Sequence, residues 1–310
     1  MGFFLLQRLF GMIFWQVESF YNLYYGSESF EIAFDSVFMT VCLGLPFLLV
    51  YNYEKKYSDR EVLPLGRGEG GADILLLIAA GFGACIISNY AAAYLSDFFQ
   101  YIFEVDFYGP EYSFPEAPFD IILYFSRSAV IPAVVEEFAI RGVVMQPLRK
   151  YGDWFAILTS SMVFSLMHGN MVQIPFAFLA GLILGFIVIK TGSLWAGIAV
   201  HFLNNALSIT QNLLYHRLSE GSFAFARIFS ELLFVFAGLA CGLIYLKIFL
   251  DKKKRRQEDA FYVYNGGNYG PPRHFKTKIP AGKRYARYIF SLPMIAAVIY
   301  MVYQTLQYIG

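Results

Sequence analysis

Apolar residues run along this chain in long blocks separated by short polar breaks. The pattern is neither the strict alternation of a half-buried strand nor the single stripe of a soluble helix. Blocks near residues 35–51, 72–95, 119–149, 154–168, 171–190, 193–213, 225–250 and 288–308 are each candidates to cross a bilayer. They predict an all-α architecture: a polytopic membrane helical bundle of about eight transmembrane helices. Two blocks have unusual lengths. The fourth has the length of a helix that ends at a buried site instead of crossing fully. The third is too long for a bare crossing, and its Asp120 and Arg127 place its first turns in the headgroup zone or against other protein.

Ahead of these blocks, Phe3, Leu6, Phe10, Ile13, Val17 and Tyr24 share one face of a helical wheel, with Arg8, Glu18 and Asn22 opposite. Residues 1–30 are therefore expected to form an amphipathic or membrane-associated helix, with a ninth span as the alternative. No basic region precedes residues 3–15 and no small-residue cleavage site follows them, so no cleavable signal peptide is predicted.

Composition supports the membrane reading: the chain is 57% hydrophobic and 15% charged, more apolar surface than a soluble domain can hide. The net charge of +1 is uninformative, but its placement is not. Lys55, Lys56, Arg60 and Arg67 follow the first block, Arg149 and Lys150 the third, Lys190 the fifth, and Lys252-Lys-Lys-Arg-Arg256 the seventh. Between the second and third lie Asp97, Glu104, Asp106, Glu111 and Glu116 without a basic residue. Every second connection is basic, which assigns those connections to the cytoplasmic side of a multi-pass cell-membrane protein.

The expected organisation is 1–30, then 31–118 with two accessory helices and an acidic extracytoplasmic connection. A core of four helices follows at 119–213, and then 214–310 with two further helices joined by a basic cytoplasmic loop at 251–287. That loop reads as a solvated linker attracted to anionic lipid; nucleic-acid binding is not expected beside a membrane. Cys42, Cys85 and Cys241 lie in apolar runs without ligand spacing and read as small core residues.

Within the core the costly residues form a pattern. Glu136, Glu137 and Arg141 make an EExxxR sequence inside an apolar block; Phe164-Ser-Leu-Met-His168 and His201-Phe-Leu-Asn-Asn205 place a histidine in each of two others. Ionisable groups at membrane depth by default face the bundle interior and mark function. Helical spacing puts Glu137 beneath Arg141 as an i,i+4 ion pair and turns Glu136 away from it. Glu136 and His168 each lie 16 residues from Gly152, on opposite sides of that turn, so both sit about 24 Å along antiparallel helices. His201 and Asn205, 9 and 13 residues past Gly192, lie about 14 to 20 Å from the same side. All can meet if the helices pack together.

Water attacking an amide needs a base, a positioning group and donors for the oxyanion. Glu136 suits the base, His168 can orient or share the proton, and His201 and Asn205 can supply N–H donors. No serine or cysteine occupies a nucleophile motif. Two histidines and a glutamate can also ligate zinc, although HExxH spacing is missing; the metal-free, cofactor-free route is preferred. Phe164 and the Gly181-Leu-Ile-Leu-Gly185 stretch read as packing, and Asn204 as a helix–helix hydrogen-bonding residue. His216 and His274 read as solvated loop residues.

At Glu136-Glu137-x-x-x-Arg141, Phe164-x-x-x-His168-Gly169-Asn170 and His201-x-x-x-Asn205 the sequence resembles the CPBP family, the CAAX prenyl proteases and bacteriocin-processing (Abi) enzymes, as a bacterial-type member. The resemblance covers about residues 119–213 and includes Lys190-Thr-Gly-Ser193. It implies a glutamate-dependent intramembrane endopeptidase acting on a membrane-associated peptide or protein. Residues matching Glu136 and His168 activate water, those matching His201 and Asn205 form an oxyanion hole, and those matching Glu137 and Arg141 support the site. Eukaryotic members remove the last three residues of prenylated CAAX proteins; bacterial members are linked to bacteriocin maturation, self-immunity and membrane-protein processing. Where the family motif often ends Phe-Arg-Gly, Ile140 precedes Arg141-Gly142 here. The alternative is a non-catalytic self-immunity or peptide-binding membrane protein. A transporter is ranked lower because no inverted repeat is seen.

Overall fold

The computed structural model describes residues 2–14, 16–57, 63–65, 71–108, 114–266 and 291–306, with 283, 286 and 289 besides. Among them no β-strand forms, and the fold is an all-α membrane bundle. Helices α1 (Gly2–Phe14) and α2 (Glu18–Gly26) precede α3 (Glu28–Met39) and α4 (Leu45–Tyr57), which a π-turn at Thr40–Gly44 joins. The others are α5 (Gly71–Phe103), α6 (Pro118–Phe125), α7 (Ile131–Glu137), α8 (Met145–Leu148), α9 (Asp153–Leu166), α10 (Ile174–Thr191), α11 (Leu194–Arg217), α12 (Glu220–Gly266) and α13 (Leu292–Leu306).

Four segments are long and apolar enough to cross a membrane unaided: Glu28–Lys56, Gly71–Phe103, Ile174–Thr191 and Glu220–Lys254. The other expected blocks are also helical. The third is broken by π-turns at Ser126–Val130 and Phe138–Val144, and α9 and α13 are short. Asp120 and Arg127 lie against protein: Ser29 Oγ donates to Asp120, and Arg127 Nη1 stands 3.3 Å from Asp35 Oδ2.

Two expectations need correction. The N-terminal helix does not run on to Tyr24; it breaks between α1 and α2, and Ile13 and Val17 are exposed. Aromatic rings hold the two pieces instead, with Phe14 packed on Phe20 and Phe34. The basic loop at 251–287 is helical at its start, because α12 continues through 266. Asp251 to Lys254 are exposed there, and Lys252 pairs with Asp73 at the start of α5; residues 267–282 lie outside the described residues.

The core forms where α10 packs against α5, α9 and α11. Cys85, Ala180, Leu184, Ile187, Ala196 and Val200 fill one layer, and Met145, Ala156, Ile157, Val188 and Leu194 another. Gly181 lets α10 approach α9 closely: a Cβ there would lie 2.8 Å from Ser161 Cβ. The small-residue stretch is indeed a packing seam. Cys42 and Cys85 are buried, and all three cysteines are free thiols within helices. Segments carrying the basic connections also touch: the Pro64 carbonyl accepts from the Leu194 N–H at 2.8 Å, and Lys190 Nζ lies 5.3 Å from the Phe249 ring.

Candidate active site

The site begins at the C-terminal end of α7, where Glu136 and Glu137 precede a π-turn that carries Arg141. π-turns within helices recur at functional sites because they re-aim side chains. Glu137 and Arg141 are fully buried and form the expected i,i+4 ion pair, Arg141 Nη1 donating to Glu137 Oε1 at 2.6 Å. Arg141 Nη2 donates to the Gly181 carbonyl at 3.3 Å, and its guanidinium lies 4.4 Å from the centre of the Phe164 ring. Charge pairing, a backbone carbonyl and an aromatic face together offset its desolvation.

His201 reaches this pair from α11. Its Nδ1 is 3.0 Å from Glu137 Oε1, the oxygen Arg141 already holds, and its Nε2 is 3.8 Å from Glu136 Oε2. Glu137 is therefore shared by two N–H donors, where its spacing suggested Arg141 alone. Its second oxygen is buried without a hydrogen-bond partner, against Gly197 one turn before His201. A Cβ on Gly197 would stand 3.0 Å from that oxygen and 2.7 Å from Val188 Cγ2. Sequence reasoning missed Gly197; the four-residue spacing to His201 was the available signal.

His168 sits just past the end of α9, whose 14 residues span about 21 Å. Its Nδ1 lies 3.0 Å from the Phe164 carbonyl. A carbonyl only accepts, so Nδ1 carries the hydrogen and Nε2 presents a lone pair. The following turn places Gly169 at φ +69°, left-handed backbone that glycine adopts freely. Asn170 locks it: the side chain accepts from Gln173 N at 2.9 Å and donates to His168 O at 3.1 Å and Gln173 Oε1 at 2.9 Å. The Phe164 ring meets both imidazoles edge-on, at 5.0 Å for His168 and 5.9 Å for His201. Read as packing alone, Phe164 is the common wall of His168, His201 and Arg141.

Asn205 enters by a different route. Its Nδ2 donates to the Ser128 carbonyl at 3.2 Å, and its Oδ1 accepts from Asn204 at 3.3 Å. One N–H of the Asn205 amide is left over. Asn204 thus serves its neighbour and not a helix–helix contact. His216 is no loop residue: it lies in the last turn of α11, stacked 5.3 Å from Phe114. His274 lies outside the described residues.

The structure thus gathers Glu136, Glu137, Arg141 and His201 in direct sequence, joins His168 through Phe164, and brings Asn205 to the helix preceding Glu136. Residues 118–207 match the family model described as Type II CAAX prenyl endopeptidase Rce1-like. The match covers this core, under a third of the chain, and supports kinship with the CPBP family there. Neither the curated proteins nor the solved structures compared with it give a match. The matched family is one of CAAX-type endopeptidases, and four helices of this chain are long and apolar enough to cross a membrane. Among the described residues, no three His, Cys, Asp or Glu gather as metal ligands would.

Proposed function

We propose that this protein acts as a CPBP-type enzyme and cleaves a membrane-associated peptide or protein by direct attack of water, with Glu136 as the general base. The observation that carries this reading is His201 set between two carboxylates, fixed by Glu137 at Nδ1 and turned towards Glu136 at Nε2. Glu136, unlike Glu137, is only partly buried and has no arginine of its own. It can take a proton from a bound water, and His168, with its Nε2 lone pair, can share that proton and pass it to the leaving amine.

Charge develops on the carbonyl oxygen as water adds. The remaining Asn205 N–H suits that oxygen, as does a proton on His201 Nε2. Because Nδ1 already donates to Glu137, His201 donates from Nε2 only as the imidazolium. Glu136, Glu137, Arg141 and an imidazolium sum to zero charge, which suits a site in hydrocarbon. Glu137 and Arg141 are structural support. No resident metal enters this scheme.

The test compares membrane proteomes of cells carrying the wild type and Glu136→Gln. Uncleaved precursors that accumulate only with the variant support the reading. Full protection from a bacteriocin together with unchanged precursors would replace it with a binding role.

A further inference from the structure

The Ser128 carbonyl that holds Asn205 lacks its α-helical donor for a reason written in the sequence. In an α-helix that carbonyl accepts from the N–H four residues on, and here that residue is Pro132, which has none. The π-turn at Ser126–Val130 forms around the same point, and Asn205 supplies a donor at 3.2 Å. The residue before Ser128 is anchored from outside the matched core. Arg127 pairs with Asp35 of α3, and Tyr24 of α2 donates to the other Asp35 oxygen at 3.0 Å. Burial, and then the Asp35 charge, push the Tyr24 hydroxyl well above its ordinary range, so it stays a donor.

We propose that Pro132 and the Arg127–Asp35 pair are positioning elements of the oxyanion hole, fixing the Ser128 carbonyl so that it aims the Asn205 amide. This rests on the reading that Asn205 stabilises the oxyanion. It gives a role to the accessory helices α2 and α3, which carry no motif of the family.

Wild type, Pro132→Ala, Asp35→Asn, the swap Asp35→Arg/Arg127→Asp, and Glu136→Gln are reconstituted in liposomes. Each is assayed with a farnesylated, internally quenched CAAX peptide, and solid-state NMR measures the coupling between Ser128 carbonyl carbon and Asn205 Nδ2. An alanine at 132 supplies the N–H that lets the π-turn relax to an α-helical register, in which that N–H takes the Ser128 carbonyl. The coupling is expected to vanish in Pro132→Ala, and kcat to fall about ten- to a hundredfold with KM within about twofold. Asp35→Asn is expected to lower kcat less, and the swap to restore it. A coupling that persists in Pro132→Ala overturns the proposal, as does wild-type kcat in Pro132→Ala when Glu136→Gln is inactive. If Glu136→Gln still turns over, the assignment of Glu136 as base is what fails; if the wild type does not cleave the peptide, the proteolytic reading fails, and in both cases the coupling still decides the geometry.

Discussion

His201 donates to the same carboxylate oxygen of Glu137 that Arg141 occupies, 3.0 Å and 2.6 Å away respectively. Glu137 thus ties a buried cation to the His201 imidazole. Glu137→Gln leaves the Arg141 charge buried without its partner, a change that costs about 3–5 kcal/mol. The detergent-solubilised variant is expected to unfold at a clearly lower temperature and to lose turnover; an unchanged melting curve contradicts the arrangement.

Gly197 bounds the same carboxylate. Gly197→Ala places a methyl 2.7 Å from Val188 Cγ2 and 3.0 Å from Glu137 Oε2, so something must shift. Overpacking of this kind costs about 1–3 kcal/mol. Turnover is expected to drop further than stability alone explains, because Glu137 moves His201 with it. Thermal unfolding and peptide cleavage measured on one preparation separate the two.

Phe164→Leu keeps volume near constant but removes the face under Arg141 and the edges against both imidazoles. A cation–π contact in a desolvated site contributes about 2 kcal/mol. The expected outcome is a folded protein with much reduced kcat. Wild-type activity in this variant assigns Phe164 to packing only.

His201 faces Glu136 and Glu137, with Arg141 behind Glu137. His201→Asn keeps an N–H donor on α11 but removes the ring that reaches both carboxylates. Cleavage of the peptide is expected to slow at least about tenfold, with the protein still folded by its melting curve. Wild-type turnover in this variant removes His201 from the reaction.

Prolonged treatment with a strong chelator is expected to leave cleavage of the farnesylated peptide unchanged. Loss of activity restored by zinc, with Glu136 and the two histidines required for zinc retention, would make the metal route the correct one.

Much of this was legible in the sequence. The apolar blocks locate the helices because a bilayer forces backbone groups to be satisfied within each segment. The Glu137–Arg141 pair follows from helical spacing, and the short fourth block foretells a helix that stops at His168. What spacing does not carry is how an interrupted helix re-aims its side chains. The π-turns at 126–130 and 138–144 shift the angular positions that a regular helix predicts. For that reason the sharing of Glu137, the wall formed by Phe164 and the anchor of Asn205 on Ser128 emerge only in three dimensions. The helix running to 266 was missed because its charged face carries no apolar period, the one signal available there.

A helix that ends in the interior of a bundle strands the polar ends of its backbone away from solvent. After α9 the chain turns back, and Asn170 uses its oxygen and its amide on the turn itself. That side chain does what interfacial water does for an ordinary helix end. The bundle therefore carries, beside His168, a turn whose polar groups are satisfied by protein alone, so the imidazole is held in place without relying on solvent.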